Sequence, residues 1–323
     1  MLKRSLLAIT LISALSVAPS SVFAAADQKG DRPAADSAAD VNPSRFGKGP
    51  ADEAFGAYQR GLYVTALNLA LPKAKEGDAP SQTLVAEIYS RGLGVPVNLP
   101  EAAKWYGEAA KQGVPEAQFR YGVMLLEGRH VQKDMVKGEE LMKLAAESNN
   151  PLAQFNYAQL LLKAGPSEVG ADKAYPWFLK AAETGLPDAQ YAVSQILATG
   201  APSVPKNDVK AREYLEKAAI KGYDTAQLDL ATWMVEGRGG KRDYDTGFKW
   251  MMRAARGGNV AAQARLAKLY IMGLGVEGDS IEAAAWYIVA KRAGLVDDDL
   301  ESHMDGLTEG ETSEAISRAN KLR

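Results

Sequence analysis

The 323-residue sequence contains no cysteine and only two histidines, His130 and His303. Without cysteine the chain has no disulfide, no thiolate zinc site and no thiol nucleophile. With two isolated imidazoles it has no histidine cluster to hold a metal. Neither sign of charge predominates: 38 Lys and Arg stand against 40 Asp and Glu, a net charge of −2, with acids and bases interleaved. The concentrated basic surface that phosphate backbones require is missing, which argues against nucleic acid as a partner. Long apolar runs are missing too. The one candidate, Leu6 to Val17, falls short of the ~20 residues that cross a bilayer.

That run follows Lys3 and Arg4 and precedes Ser20, Ser21 and Val22-Phe23-Ala24. The order of a basic start, a short apolar stretch and small residues is that of a cleaved secretory leader, with an uncleaved anchor as the rival reading. Small residues at the last and third-last positions fit cleavage after Ala24, or after Ala26. We assign residues 1–24 to the leader and expect no membrane insertion after its removal. Residues 25–50, rich in Ala, Asp, Pro, Ser and Gly, cannot bury enough apolar surface to offset ordering entropy and read as a disordered linker.

Beyond the linker the sequence repeats itself. Ala-Gln falls at Ala117-Gln118, Ala153-Gln154, Ala189-Gln190, Ala226-Gln227 and Ala262-Gln263, spacings of 36, 36, 37 and 36. Ser81-Gln82 lies another 36 residues upstream, and Ala-Ala pairs at 109, 145, 181, 218 and 254 keep the same phase. A fixed period with independent markers is the signature of a solenoid. Each unit predicts two helices. In the first, Thr83 to Tyr89 precedes the permissive turn Gly92-Leu93-Gly94-Val95, and a second helix opens near Pro100 and ends at Gly113. Repeated small residues let neighbouring helices approach, while Trp105, Trp177, Trp250 and Trp286 fill the space between units.

Units such as 262–297, with Ala262-Gln263, Tyr270, Gly273-Leu274-Gly275-Val276, Ala284, Trp286-Tyr287 and Gly294, resemble Sel1-like repeats, relatives of the tetratricopeptide repeat with a longer inter-helix loop. The resemblance covers six units, 81–116, 117–152, 153–188, 189–225, 226–261 and 262–297. Residues 51–80 resemble a degenerate N-terminal helix pair, and 298–323 a polar closing helix that caps such arrays. The resemblance implies an all-α fold, an α-solenoid in which antiparallel helix pairs wind into a right-handed superhelix. The third and fourth loops depart from the Gly-x-Gly-Val pattern, reading Ala164-Gly165-Pro166-Ser167 and Gly200-Ala201-Pro202.

Few residues suggest chemistry. His130 falls in a predicted loop and His303 near the C-terminus. Gly237 to Arg242 lacks the Gly and Ser/Thr positions of a phosphate-binding loop and coincides with an inter-helix turn. Asp297-Asp298-Asp299 and Glu301 read as the acidic start of a helix, because Ser302 stands where a calcium loop needs Gly. No pair of carboxylates is singled out for hydrolysis. We therefore expect no enzyme, no metal and no cofactor.

A binding face is predicted instead. Counting from the Ala of Ala-Gln, the eighth position is always large and apolar (Ile88, Met124, Leu160, Ile196, Trp233, Leu269) and reads as core. The third, seventh and tenth positions share one helical stripe. They carry Phe119, Val123 and Leu126; Phe155, Gln159 and Leu162; Tyr191 and Gln195; and Leu228 and Thr232. The resemblance places first helices on the concave side, which would make these residues a semi-apolar groove for a protein or extended peptide. The alternative, packing against the next repeat, weighs equally for Phe119, Phe155 and Tyr191, whereas Gln159 and Gln195 are expected to be exposed. The first functional expectation is an exported adaptor or scaffold in the periplasm of a Gram-negative bacterium, or secreted. The resemblance to leader-bearing regulators of sensor kinases implies the ectodomain of a membrane sensor as one partner. Binding or hydrolysis of envelope glycan is a second reading, and release to engage host proteins a third.

Overall fold

The computed structural model describes residues 53–164 and 167–322, and the leader and linker expected over 1–50 lie outside them. The described residues form sixteen helices and no strand; one isolated bridge pairs Ala201 with Val204. The chain divides at Gly138/Glu139 into two compact units.

The N-terminal unit begins with a helix pair, α1 (Glu53–Gln59) and α2 (Tyr63–Lys75), where a degenerate pair is expected. It continues with α3 (Ala79–Arg91), α4 (Leu99–Lys111), α5 (Pro115–Glu127) and the start of α6 (Met135–Glu147). From α1 to α5, each helix packs on the next in sequence. The C-terminal unit continues with α7 (Pro151–Lys163), α8 (Ser167–Glu183), α9 (Pro187–Thr199), α10 (Asp208–Ile220), α11 (Asp224–Glu236), α12 (Tyr244–Arg256), α13 (Val260–Met272) and α14 (Ser280–Arg292). These too pack in sequence. The closing segment is not one helix but two, α15 (Asp298–Asp305) and α16 (Glu309–Ala319), because Gly306-Leu307-Thr308 breaks it and Thr308 starts a new helix through a capping box with Glu311. α16 lies on α14, where Arg318 reaches Asp279 at 2.9 Å and Glu282 at 3.2 Å.

The repeating sequence markers have local physical causes. First helices start two residues before Ala-Gln, and a short polar side chain caps several of them: Asp78, Asn150 and Asn259 accept the backbone N–H three residues on. Second helices are capped in the same way by Asn98, Asp134, Asn207, Asp243 and Asp279. In five of the six repeats the Gln of the marker reaches back across the repeat boundary. Its Nε2 donates to the carbonyl of the residue eight positions earlier, at 3.1–3.2 Å for Gln82 to Ala74, Gln154 to Ala146, Gln190 to Ala182, Gln227 to Ala219 and Gln263 to Ala255. That acceptor lies at the end of the previous second helix and also takes the backbone N–H three residues on, so the Gln amide adds a second hydrogen bond to a carbonyl of the last turn.

The second glycine of the Gly-x-Gly loops answers a steric demand. A Cβ at Gly239 or Gly275 would lie 2.2 Å from the Asp208 carbonyl oxygen or 2.1 Å from that of Tyr244, where the loop crosses the start of the preceding second helix. In the second repeat His130 takes the corresponding left-handed backbone, φ 63°. The fourth loop closes differently: Ala201 and Val204 exchange backbone hydrogen bonds, and Asp172 of α8 accepts from the Ser203 N–H at 2.7 Å. Within each pair, the fourth residue of the second helix is small and buried: Ala102, Gly138, Gly170, Ala211, Gly247 and Ala283. At Gly170 a Cβ would stand 2.8 Å from the Leu162 carbonyl oxygen. Here two backbones touch, which is why the position takes nothing larger.

The core follows the period. Ala at the Ala-Gln and Ala-Ala markers is buried throughout, as are Trp105 and Trp286, while Trp177 and Trp250 are half-buried. At the eighth position Ile88, Ile196, Trp233 and Leu269 are buried as expected, but Met124 and Leu160 are only half-buried.

Candidate functional site

The candidate stripe divides into closed and half-open parts. Phe119, Val123 and Leu126 of α5 are 3%, 8% and 4% exposed and belong to the core. Leu126 is held against α6, where it covers the bare face of Gly138. Leu228 of α11 is likewise buried. These four correct the expectation of a continuous groove-lining stripe. Phe155, Gln159 and Leu162 of α7, Tyr191 and Gln195 of α9 and Thr232 of α11 are half-buried, as are Ala192 and Asp229. Gln159 and Gln195, expected to be exposed, are therefore only partly so. The Phe155 ring lies 5.5 Å from that of Phe178, and the Tyr191 ring 5.0 Å from that of Tyr223, so each aromatic packs on one side.

Polar contacts join the seventh position of one repeat to the fourth position of the next, a pairing not apparent from sequence. In the C-terminal unit Asp229 accepts from the Tyr191 hydroxyl at 3.0 Å and from Gln195 Nε2 at 3.4 Å. Arg265 donates to the Thr232 hydroxyl at 2.7 Å. Burial pushes the Asp229 carboxyl above its ordinary value, against the opposing pull of Tyr191 and Arg265. The Tyr191 hydroxyl is raised as well, by burial and then by the Asp229 charge. Gln159 stands in the same register, but the following repeat offers Ala192 at position four, and the Gln159 Oε1 is buried without a partner.

In the N-terminal unit the same register is closed. Glu87, 3% exposed, accepts from the Tyr106 hydroxyl at 2.8 Å and from Arg91 at 3.3 Å. Arg120, at position four of the next repeat, donates to Glu116 at 2.9 Å. Burial opposes the Arg120 charge, yet Glu116, Tyr106 and Glu87 hold its pKa above the ordinary value.

The remaining sequence candidates serve the fold. His130 is exposed, and His303 Nε2 lies 3.4 Å from the Ser280 carbonyl oxygen. Gly237 to Arg242 is an inter-helix loop pinned by Arg238, which lies 3.9 Å from the Trp233 ring and bonds Asp208 at 2.9 Å. Asp297 caps α15 and with Asp299 holds Lys268, and Glu301 accepts from Lys291 and the Tyr287 hydroxyl. Among the described residues no group of three or more His, Asp or Glu is placed to hold a metal, and no helix is long and apolar enough to cross a membrane.

Helix pairs latched in sequence, with a half-open strip of mixed side chains along their first helices, define a helical-repeat protein. The match to the Sel1 repeat covers residues 79–114, 115–150, 151–186, 187–223, 225–259 and 260–295, and the chain belongs to the Sel1 repeat family. These boundaries run in the expected phase, one or two residues earlier, because Ala-Gln lies inside the first helix. A Sel1 repeat protein from Oxalobacter formigenes has a similar structure, with 28% identity and a TM-score of 0.63 over 76% of this chain and 97% of that one. So does c5321 of uropathogenic Escherichia coli, a protective antigen with an SLR fold: 29% identity and a TM-score of 0.57 over 80% of this chain and 64% of that one. A putative sel1-like repeat-containing protein L21 of Acanthamoeba polyphaga mimivirus is 36% identical over 78 residues, 24% of this chain. That match spans only 14% of the viral protein's length. Sel1 repeats are generally protein-interaction scaffolds.

Proposed function

We propose that this chain is an exported, non-enzymatic adaptor that holds an extended segment of another protein against the first helices of its C-terminal unit. The observation that carries this reading is the half-open strip Phe155, Gln159, Leu162, Tyr191, Gln195 and Thr232, with Asp229 and Arg265 beside it. Its apolar faces suit side chains of a partner, and its amide, carboxylate and guanidinium groups suit the N–H and C=O of an extended backbone. Buried Phe119, Val123, Leu126 and Leu228 have no direct part in the contact. The leader motif supports export to the periplasm of a Gram-negative bacterium, where the ectodomain of a membrane sensor is the partner we favour. A glycan-binding site would need open aromatic faces, whereas Phe155 and Tyr191 each pack against a second ring.

A photo-crosslinking residue at Gln159 or Leu162, with one at exposed Lys104 as control, tests the reading in intact cells. We expect one envelope protein to be captured from the strip and not from the control. Capture of peptidoglycan fragments alone, or equal capture from all three positions, would sink the reading.

A further inference from the structure

The second helix of the fifth repeat, with the loop before it, carries a cluster of exposed cations. Lys249, Arg253 and Arg256 of α12 recur at steps of four and three residues, which aligns them on one stripe, and all three are exposed. Lys241 and Arg242 are exposed in the loop, where they line a shallow open depression with Tyr244 and with Arg212 of α10; Asp243 and Asp245 line it too, so cations outnumber acids there and the stripe of α12 adds three more. Arg212 donates to the Lys241 carbonyl at 3.3 Å, which holds the loop against α10. Among the described residues none of Lys241, Arg242, Lys249, Arg253 and Arg256 forms an ion pair, in contrast to Lys206 and Arg238, which both pair with Asp208. The nearest acid in sequence, Asp243, is committed to capping α12 through the Thr246 N–H at 3.0 Å. Two guanidinium groups lie over rings, Arg242 at 5.8 Å from Tyr244 and Arg253 at 5.3 Å from Trp250; Arg242 also donates to the Tyr244 hydroxyl at 3.3 Å and the Glu236 carbonyl at 3.4 Å, whereas the ring orders Arg253 and leaves its N–H groups for a carboxylate.

Charge complementarity selects an anionic occupant. A bilayer surface is disfavoured, because α12 exposes no large apolar side chain to insert. A glycan is disfavoured, because the rings that would stack on sugars are covered by cations. The stripe from Lys249 to Arg256 is about 10 Å long at the helical rise, a length over which several carboxylates of a polypeptide can be met at once. We propose that this face docks an acidic segment of a partner protein. It shares no residue with the strip on the first helices and stands or falls independently of it.

The test is fluorescence anisotropy of a labelled oligo-glutamate peptide titrated with the full chain at low salt. We expect binding that weakens about tenfold or more in Lys249→Glu/Arg253→Glu/Arg256→Glu. It should be unchanged in a charge-matched control, Lys104→Glu/Lys111→Glu/Lys143→Glu. Far-UV circular dichroism checks folding, and the corresponding Gln triple variant replaces the reversal if that chain does not fold. The proposal is overturned by no binding of the wild type, by equal loss in the control, or by tighter binding to phosphatidylglycerol vesicles or polygalacturonate than to oligo-glutamate.

Discussion

Glu87 in the N-terminal unit, at position seven, and Asp229 in the C-terminal unit, at position four, are carboxylates at the two ends of one recurring contact, and their surroundings differ. Glu87 is buried with an arginine on it at 3.3 Å and a tyrosine hydroxyl at 2.8 Å. Asp229 is half-buried, its two hydrogen-bond donors are the uncharged Tyr191 and Gln195, and its pKa is raised. The first is a closed internal network, in which removing one charge strands another. The second is a carboxylate held in a partly dry place with only uncharged donors on it, a contrast that the proposed binding role would use. One helix face, repeated with one period, thus holds a carboxylate in two different environments.

The largest effect should separate Phe119 from Phe155. Phe119→Asp removes a core ring and buries a charge, and should cost more than about 4 kcal/mol. Phe155→Asp, at a half-buried place, should cost roughly half as much. Urea unfolding followed by circular dichroism measures both, and equal costs would erase the distinction between closed and half-open stretches. Next, Glu87→Gln should destabilise by about 1–3 kcal/mol, whereas Asp229→Asn should stabilise at neutral pH. The sign follows from the raised folded-state pKa of Asp229. The wild type gains stability as pH falls through that value toward the unfolded one and loses it above. The advantage of Asn should therefore shrink in acid, and thermal melts across the acid range would show it.

Gln159→Leu sharpens the contrast further. It deletes a buried oxygen that has no partner, so stability should rise by about 1 kcal/mol while capture of the partner from the strip falls. Unchanged capture would remove Gln159 from the site. The smallest effect belongs to His130, whose left-handed backbone costs a residue with a Cβ. His130→Gly should raise stability by a few tenths of a kcal/mol.

The period, the number of repeats and the helix-turn-helix content are legible in sequence, because each depends on contacts that recur in every unit. What differs between units is not legible. Phe119 and Phe155 occupy the same position of the same motif, yet one is core and the other half-open. The Gln159 stripe looks exposed by pattern, but the residue that decides its partner, Ala192, lies 33 positions away in the next repeat. The break of the closing segment at Gly306 to Thr308 was available as a Gly followed by Thr-x-x-Glu, a capping signal that a single-helix reading passes over.

The bond from the marker glutamine to the carbonyl eight residues before it, made in five of the six repeats, has a consequence for how long such a chain can be. Every one of these bonds uses the same donor and the same kind of acceptor, and none depends on which repeat comes next. Excising residues 151–186 would join Asn150 to Pro187 and present the Gln190 amide to the Ala146 carbonyl, replacing two seams by one of identical chemistry. At this bond a whole repeat can be gained or lost without new joinery, so the length of the array is set there by a count of repeats, while the contacts from position seven to position four remain particular to each seam.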